Sequence, residues 1–380
     1  RLVRAIRRML QNTHRCSLEL RHDFLAHGRR YHMTRITAIA AMLFLIVFAS
    51  ASCGDYSTSP GGQYPPPPPD TTFANGLWTV SGTEPAILRL NSSQLLSSGD
   101  ITPATVITTS SASLHGFNSV AFDADGTLWM TSQNDSLLVA FKQAALASSG
   151  VRIASRVIAP ANESLASPSA LAFDASHNLW VANTTNGTLV RFDSAQLAVS
   201  GRPTPSVILS DVGHPTGLAF DATGGLWFSD TQAHRISKYS AAQLESSARI
   251  VPEVVLTSIG PDISGAVGLA FDATGNLWIA NSGLLNVIAI RAEHLTTTAF
   301  VHADIVISAA GATPPLPLGV AFDDHGDLWV AYAEGEFAKY DHTTLAASGT
   351  PAPAVRVAMN DRKLVRSPAF WPVPAGLPLN

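Results

Sequence analysis

Cysteine is almost missing from this chain. Its 380 residues hold two, Cys16 and Cys53. A disulfide framework or a thiolate-ligated zinc site is therefore excluded from everything after residue 53. Charge is sparse too, at 14% of residues. Helix-favouring Lys and Glu are scarce, while Gly, Pro, Ser, Thr and Val are plentiful, a balance that suits an all-β protein with many turns. A net positive charge occurs at one end only. Residues 1–35 hold nine Arg against Glu19 and Asp23, and the rest holds 15 Lys plus Arg against 26 Asp plus Glu. A body near −11 repels phosphate backbones, and it has no basic stripe with interleaved aromatics, so nucleic acid is not an expected partner. No Gly-x-Ser-x-Gly elbow, Walker loop or HExxH pair occurs.

What is present is a repeat. Leu77-Trp78, Leu128-Trp129, Leu179-Trp180, Leu226-Trp227, Leu277-Trp278 and Leu328-Trp329 stand 47 or 51 residues apart. Five of the six follow a Phe-Asp pair: Phe122-Asp123, Phe173-Asp174, Phe220-Asp221, Phe271-Asp272 and Phe322-Asp323. A period near fifty is the size of one four-stranded propeller blade. The expected fold is all-β, a six-bladed β-propeller over residues 72–380 with four-stranded blades.

The end copies are incomplete in complementary ways. Gly76-Leu77-Trp78 has no apolar strand before it, and Pro368-Ala369-Phe370 has no Leu-Trp after it. Phe370 follows Phe322 by 48 residues, in phase with the repeat. The C-terminal strand is thus expected to become the innermost strand of the N-terminal blade, which leaves no open edge.

Within one blade the pattern predicts strands at 217–220, 226–229, 235–239 and 252–256. The Asp of each Phe-Asp pair starts a turn whose Gly takes positive φ. In the Asp174 turn, Asn178 stands in for Gly. The Leu-Trp strands should be apolar on both faces, with the Trp residues packed between blades. A further apolar residue recurs after each third strand, usually in an xxQLxxSG setting: Leu95, Leu146, Leu197, Leu244, Leu295 and Leu345. It is expected to plug its blade's outer edge.

Residues 1–53 read as a leader. The 16-residue run ITAIAAMLFLIVFASA at 36–51 is short for a spanning helix, which needs about 20 residues, and suits the core of an export signal. Met33 is the expected initiator; a long basic n-region is the alternative. Ser50-Ala51-Ser52-Cys53 resembles a bacterial lipobox, with Ser50 where Leu is usual, which would make Cys53 the lipidation site. Cleavage after Ala49-Ser50-Ala51 is the competing reading. Residues 54–71 form a linker with five consecutive prolines, Pro65 to Pro69. It reads as a stiff spacer of about 3 Å per residue. The expected location is the cell envelope through a lipid anchor, or else the periplasm or exterior, as a monomer.

The stretch GHPTGLAFDATGGLWFSDTQAHRI resembles an NHL-type repeat, and GLAFDATGNLWIAN fits the same pattern. The resemblance extends to the wider six-bladed group of SMP-30/gluconolactonase-like and streptogramin-lyase-like proteins. It implies the fold and, in the lactonases, a divalent cation at the channel mouth held by Glu, Asn and Asp. Here the equivalent positions before each inner strand are Asn118, Ser169, Thr216, Val267, Leu318 and Arg366. None is a carboxylate, which a hard cation normally wants. Asp262 is the nearest compensating acid and reads as a turn residue. His115 and His214 precede inner strands and could face the mouth, as acid and base or as metal ligands, or be exposed loop residues; no Glu-x-His step accompanies them. His234 reads as structural.

The expected function is a binding or scaffold propeller. A peptide, glycan or protein ligand would meet His115, Asn118, Ser169, His214, Thr216 and Arg366 at the mouth, opposite an apolar side of Val267 and Leu318. No catalytic residue or resident cofactor is assigned, with a divalent cation left open. A metal-dependent, lactonase-like hydrolase or a streptogramin-lyase-like enzyme is the alternative.

Overall fold

The computed structural model describes residues 76–374, apart from 83, 110–113, 161, 259–261, 312 and 361–363. The leader, Cys53 and the proline-rich linker lie outside the described residues. Among the described residues no helix is long and apolar enough to cross a membrane.

The molecule is a six-bladed β-propeller of four-stranded antiparallel blades. Blade 4 shows the pattern, with Pro215–Phe220 innermost, then Leu226–Asp230, Arg235–Tyr239 and Val254–Ser258. Its fourth strand lies two residues later than expected. Pro252 has no N–H to donate, and the ladder begins where Val254 faces Lys238. The innermost strands of the other continuous blades are Phe117–Phe122, Pro168–Phe173, Ala266–Phe271 and Pro317–Phe322.

Blade 1 is composite, as its incomplete repeats require. Ala369–Trp371 pairs with Gly76–Val80 and sets Phe370 opposite Leu77. Phe173 faces Leu179, and Phe220 faces Leu226, in the same register.

The six Leu-Trp tryptophans are at most 1% exposed. Four of them meet the Phe of the next blade edge-on: Trp78 to Phe122, Trp227 to Phe271, Trp278 to Phe322 and Trp329 to Phe370, with centroids 5.9–6.2 Å apart. Each such pair adds about 0.5–1.5 kcal/mol beyond burial. Trp329 meeting Phe370 shows that the composite blade joins the ring as an ordinary member.

Each Phe-Asp aspartate does more than start a turn. One oxygen of Asp221 accepts from the amides of Thr223 and Gly225, both at 2.9 Å. The other accepts from the Trp227 indole N–H at 2.8 Å. Asp123, Asp174, Asp272 and Asp323 hold Trp129, Trp180, Trp278 and Trp329 in the same way at 2.9–3.2 Å. The Asp174 turn corrects the sequence reading. His177, not Asn178, takes the left-handed position, with φ 61°. Asn178 instead donates its side-chain amide to Asp174 at 3.0 Å.

The Leu of the xxQLxxSG turn also behaves differently from expectation. It wedges into the seam with the preceding blade. Leu146 shares a core with Trp78 and Ile107 of blade 1, and Leu244 shares one with Trp180 and Leu209 of blade 3. The residues after it then lie parallel to that blade's outer strand. Gly99–Ile101, Gly150–Arg152 and Ala299–Val301 form a fifth strand on blades 6, 1 and 4. Single bridges at Gly201, Ala248 and Gly349 do the same on blades 2, 3 and 5. At every seam a hydroxyl completes the latch. Ser98, Ser149, Ser200, Ser247, Thr298 and Ser348 accept from the amides of Arg356, Val106, Val157, Ile208, Val255 and Val306 at 2.9–3.0 Å.

Candidate functional site at the channel mouth

Every continuous inner strand breaks its pairing register near its first residue. The irregularities fall between Pro168 and Ala170, Pro215 and Gly217, and Pro317 and Gly319, and likewise between Phe117 and Val120 and between Ala266 and Leu269. A bulge bends a strand and re-aims the unpaired side chain. The residues at these breaks include Asn118, Ser169, Thr216, Val267 and Leu318. Together with Arg366 of the composite blade they line one central cavity of about 350 Å³.

Just inside that ring the strands nearly touch. A Cβ on Gly217 would lie 1.9 Å from the Val267 carbonyl oxygen. One on Gly268 would lie 2.7 Å from Gly319 Cα, and one on Gly319 would lie 2.5 Å from Pro368 Cδ. Glycine at these positions lets the channel narrow directly inside the ring.

The hydroxyls around the mouth are committed to structure. Ser169 and Thr184 donate to the Pro215 carbonyl at 2.9 and 2.8 Å. Ser229 donates to Val267 O at 2.9 Å, and Thr231 to Ala266 O at 2.7 Å. Thr216 lies within hydrogen-bond reach of Ser229, Thr231 and Ala266 O. These bonds stitch blade 3 to blade 4 and blade 4 to blade 5.

Arg366 donates from Nη1 to Asn118 Oδ1 at 2.8 Å, joining blade 1 to blade 2. Its Nε passes beside Gly82, where a Cβ would sit 2.8 Å away. Burial lowers the guanidinium's pKa, but an arginine stays charged at any physiological pH.

Among the described residues lining the cavity there is no carboxylate and no imidazole. Neither His115 nor His214 lines it. His115 is exposed, and its amide donates to Asp135 at 2.7 Å. His214 is half-buried on its loop, with its amide on Asp230 at 3.2 Å. Asp262 sits in a turn and faces His302 at 2.7 Å. The His234 ring accepts from the Gly265 amide at 3.2 Å. The four remaining mouth positions, Asn118, Ser169, Thr216 and Arg366, are thus brought together, and the two histidines are not.

Two side-chain groups have spacing that could suit a cation, Asp323–Asp324–His325 and Asp327–Asp341–His342. Both follow strands that run away from the mouth, so they lie at the other end of the channel. Asp327 is already engaged by Lys339 at 2.8 Å. At the mouth itself the available oxygens are neutral, a poor match to a hard cation. The hydroxyls there have no base beside them to activate them as nucleophiles.

The sequence model of the SMP-30/gluconolactonase/LRE-like region matches residues 74–260. The chain is a six-bladed propeller whose residues 74–260 resemble the SMP-30/gluconolactonase family. No curated protein matches it. Among solved structures, this SMP-30-like chain is similar to one in the nidogen/laminin complex, at 12% identity and TM-score 0.56 over 79% of this chain and 100% of that one. It is also similar to a protein of unknown function from Bacteroides caccae, at 10% identity and TM-score 0.53 over 78% and 98%. Virginiamycin B lyase from Staphylococcus aureus, as an inactive variant with quinupristin, is 13% identical with TM-score 0.47 over 71% and 82%. The first two likenesses show the fold alone.

Proposed function

We propose that this SMP-30-like propeller is a non-catalytic binding module that takes its ligand at the central mouth. One observation supports this reading. The six side chains at the mouth, five on bulged inner strands and Arg366 on the composite blade, comprise a guanidinium, an amide, two hydroxyls and two aliphatic groups. That set can recognise a ligand by hydrogen bonds, charge and apolar contact. Proton transfer would need a positioned base, and a hard cation would need anionic oxygens. The described residues lining the mouth supply neither.

The test is a thermal-shift panel of lactones, oligosaccharides and short peptides on the purified full chain, with metal content measured alongside. The module predicts a ligand-induced rise in melting temperature without turnover, lost when Leu318→Trp fills the mouth. Stoichiometric, tightly held Ca²⁺ or Zn²⁺ with lactone hydrolysis or lyase turnover would replace this reading with the enzymatic one.

The same proposal places the propeller in the cell envelope, tethered by a lipid on Cys53. The lipobox-like step and the stiff proline spacer after it support this. Metabolic lipid labelling that survives Cys53→Ser would rule the anchor out.

A further inference from the structure

The mouth carries one formal charge among its described lining residues, and that charge has no counter-ion there. Arg366 presents a flat fork of five N–H donors and spends one on Asn118. Three other half-buried arginines of this chain meet a carboxylate: Arg156 meets Asp123, Arg191 meets Asp193 and Arg235 meets Asp230. A fourth, Arg152, is met by carbonyls and the Ser148 hydroxyl on the outer rim instead. Acid is not in short supply, since the whole sequence holds 28 acidic residues against 24 basic ones. Yet no described carboxylate pairs with Arg366, and the influence that moves its pKa is burial. A half-buried charge lacking an opposite charge is costly. A ligand that brings the missing charge removes that cost.

The surroundings say more about the ligand. On one side Arg366 is braced by Asn118, and along its stem Gly82 leaves it room. On the other side the ring continues through Leu318 and Val267, both aliphatic. The cavity's volume of about 350 Å³ suits a small molecule rather than a folded partner. Phosphate sites usually gather several cationic or backbone N–H donors. One guanidinium in fork geometry instead matches a single carboxylate.

Resting on the reading of the mouth as a binding site, we propose that the ligand is a small organic acid. Its carboxylate sits on the Arg366 guanidinium, and its apolar part lies against Leu318 and Val267.

The test uses the full chain with acetate, butyrate, hexanoate and benzoate, their primary amides, and inorganic phosphate. Thermal shift and calorimetry are the readouts. The expected result is saturable binding of the carboxylates, tighter for hexanoate than for acetate, and at least tenfold weaker for each amide. Arg366→Gln should lose the carboxylate response while the unliganded protein melts at or above the wild-type temperature, because a charge without a counter-ion has gone. Arg366→Lys should restore part of the response.

Equal binding of acids and amides, stronger binding of phosphate, or no binding by any acid would overturn the inference. So would Arg366→Gln melting far below wild type with its carboxylate response intact, which would make Arg366 a strut between blades. The comparison of acids with amides needs no variant and decides the matter even if Arg366→Gln does not fold. Neutral ligands that bind and are lost in Leu318→Trp would leave the mouth reading standing and remove only the acid.

Discussion

The hydroxyl of Ser98 accepts a hydrogen bond from the amide of Arg356 at 2.9 Å, across 258 residues of sequence. The other five seams carry the equivalent bond between residues 39–43 apart. The ring is thus closed twice. The C-terminal strand completes blade 1 at the axis, and the Ser98 segment latches onto blade 6 at the rim. The two closures differ in weight. The axial one buries Ala369 and joins Phe370 to Trp329, whereas the rim bond is exposed.

Deleting residues 365–380 should therefore leave blade 1 without its inner strand and give aggregated or unfolded protein. Ser98→Ala should cost no more than about 1 kcal/mol, the net worth of one exposed hydrogen bond. Solubility, light scattering and denaturant melts of the two forms separate these outcomes. A soluble truncated form with an unchanged melting temperature would contradict six-blade closure.

Asp272→Ala removes the acceptor for the amides of Thr274 and Asn276 and for the Trp278 indole. Leaving a partly buried donor unsatisfied costs about 1–3 kcal/mol. Urea unfolding should show a loss in that range, with altered Trp emission. Asp272→Asn should recover part of it, since its amide oxygen still accepts. A neutral Asp272→Ala would mean that the aspartate only starts a turn.

Gly217→Ala places a methyl 1.9 Å from the Val267 carbonyl oxygen. Backbone must move, because the neighbour is not a flexible side chain. Overpacking of this kind costs about 1–3 kcal/mol. Because Thr216 is the adjacent mouth residue, ligand binding should weaken more than stability alone predicts. Calorimetry on the folded variant reads the difference.

Blade 6 carries a pH-sensitive contact. Burial pushes the Asp327 carboxyl up, but Lys339 and the His342 amide and ring more than offset it and hold it at about 2. Its folded pKa therefore lies below its unfolded one, and its stabilisation is present above about pH 4. That contribution is lost as pH falls towards about 2. His342 moves the other way. Its hydrogen bond to Asp327 raises its pKa, so its share is full below about pH 6.5 and lost as pH rises through the raised value. Asp327→Asn should flatten stability against pH in both windows, read from melting temperatures between pH 2 and 8. An unchanged profile would show that neither pairing matters in solution.

Much of this architecture was legible because blade packing imposes a period on the apolar residues. Leu-Trp pairs and Phe residues in phase located every inner strand, including the displaced one at Phe370. The mouth was legible for the same reason, since each mouth residue sits four positions before its Phe. The latch was not. Ser98 and its equivalents look like polar turn residues, and their partners belong to the previous blade, so no local pattern reports them. The indole bond was visible only as a fixed spacing from Asp to Trp, which turn chemistry alone already explained. The histidines misled through proximity. His115 and His214 come within a few residues of the mouth in sequence, but they stand on loops that turn before the bulges aim side chains inward. His177 took the glycine position because its amide closes the turn onto the Asp174 carbonyl at 2.9 Å, a register that a neighbouring Asn concealed.

The most direct test of the central claim is a methyl-resolved NMR titration of the full chain with hexanoate. An acid-binding mouth predicts saturable shifts of the Leu318 and Val267 methyl signals, with Val151 and Val251 on the exposed rim unchanged. Shifts confined to the rim, or none that saturate at the mouth, would contradict it.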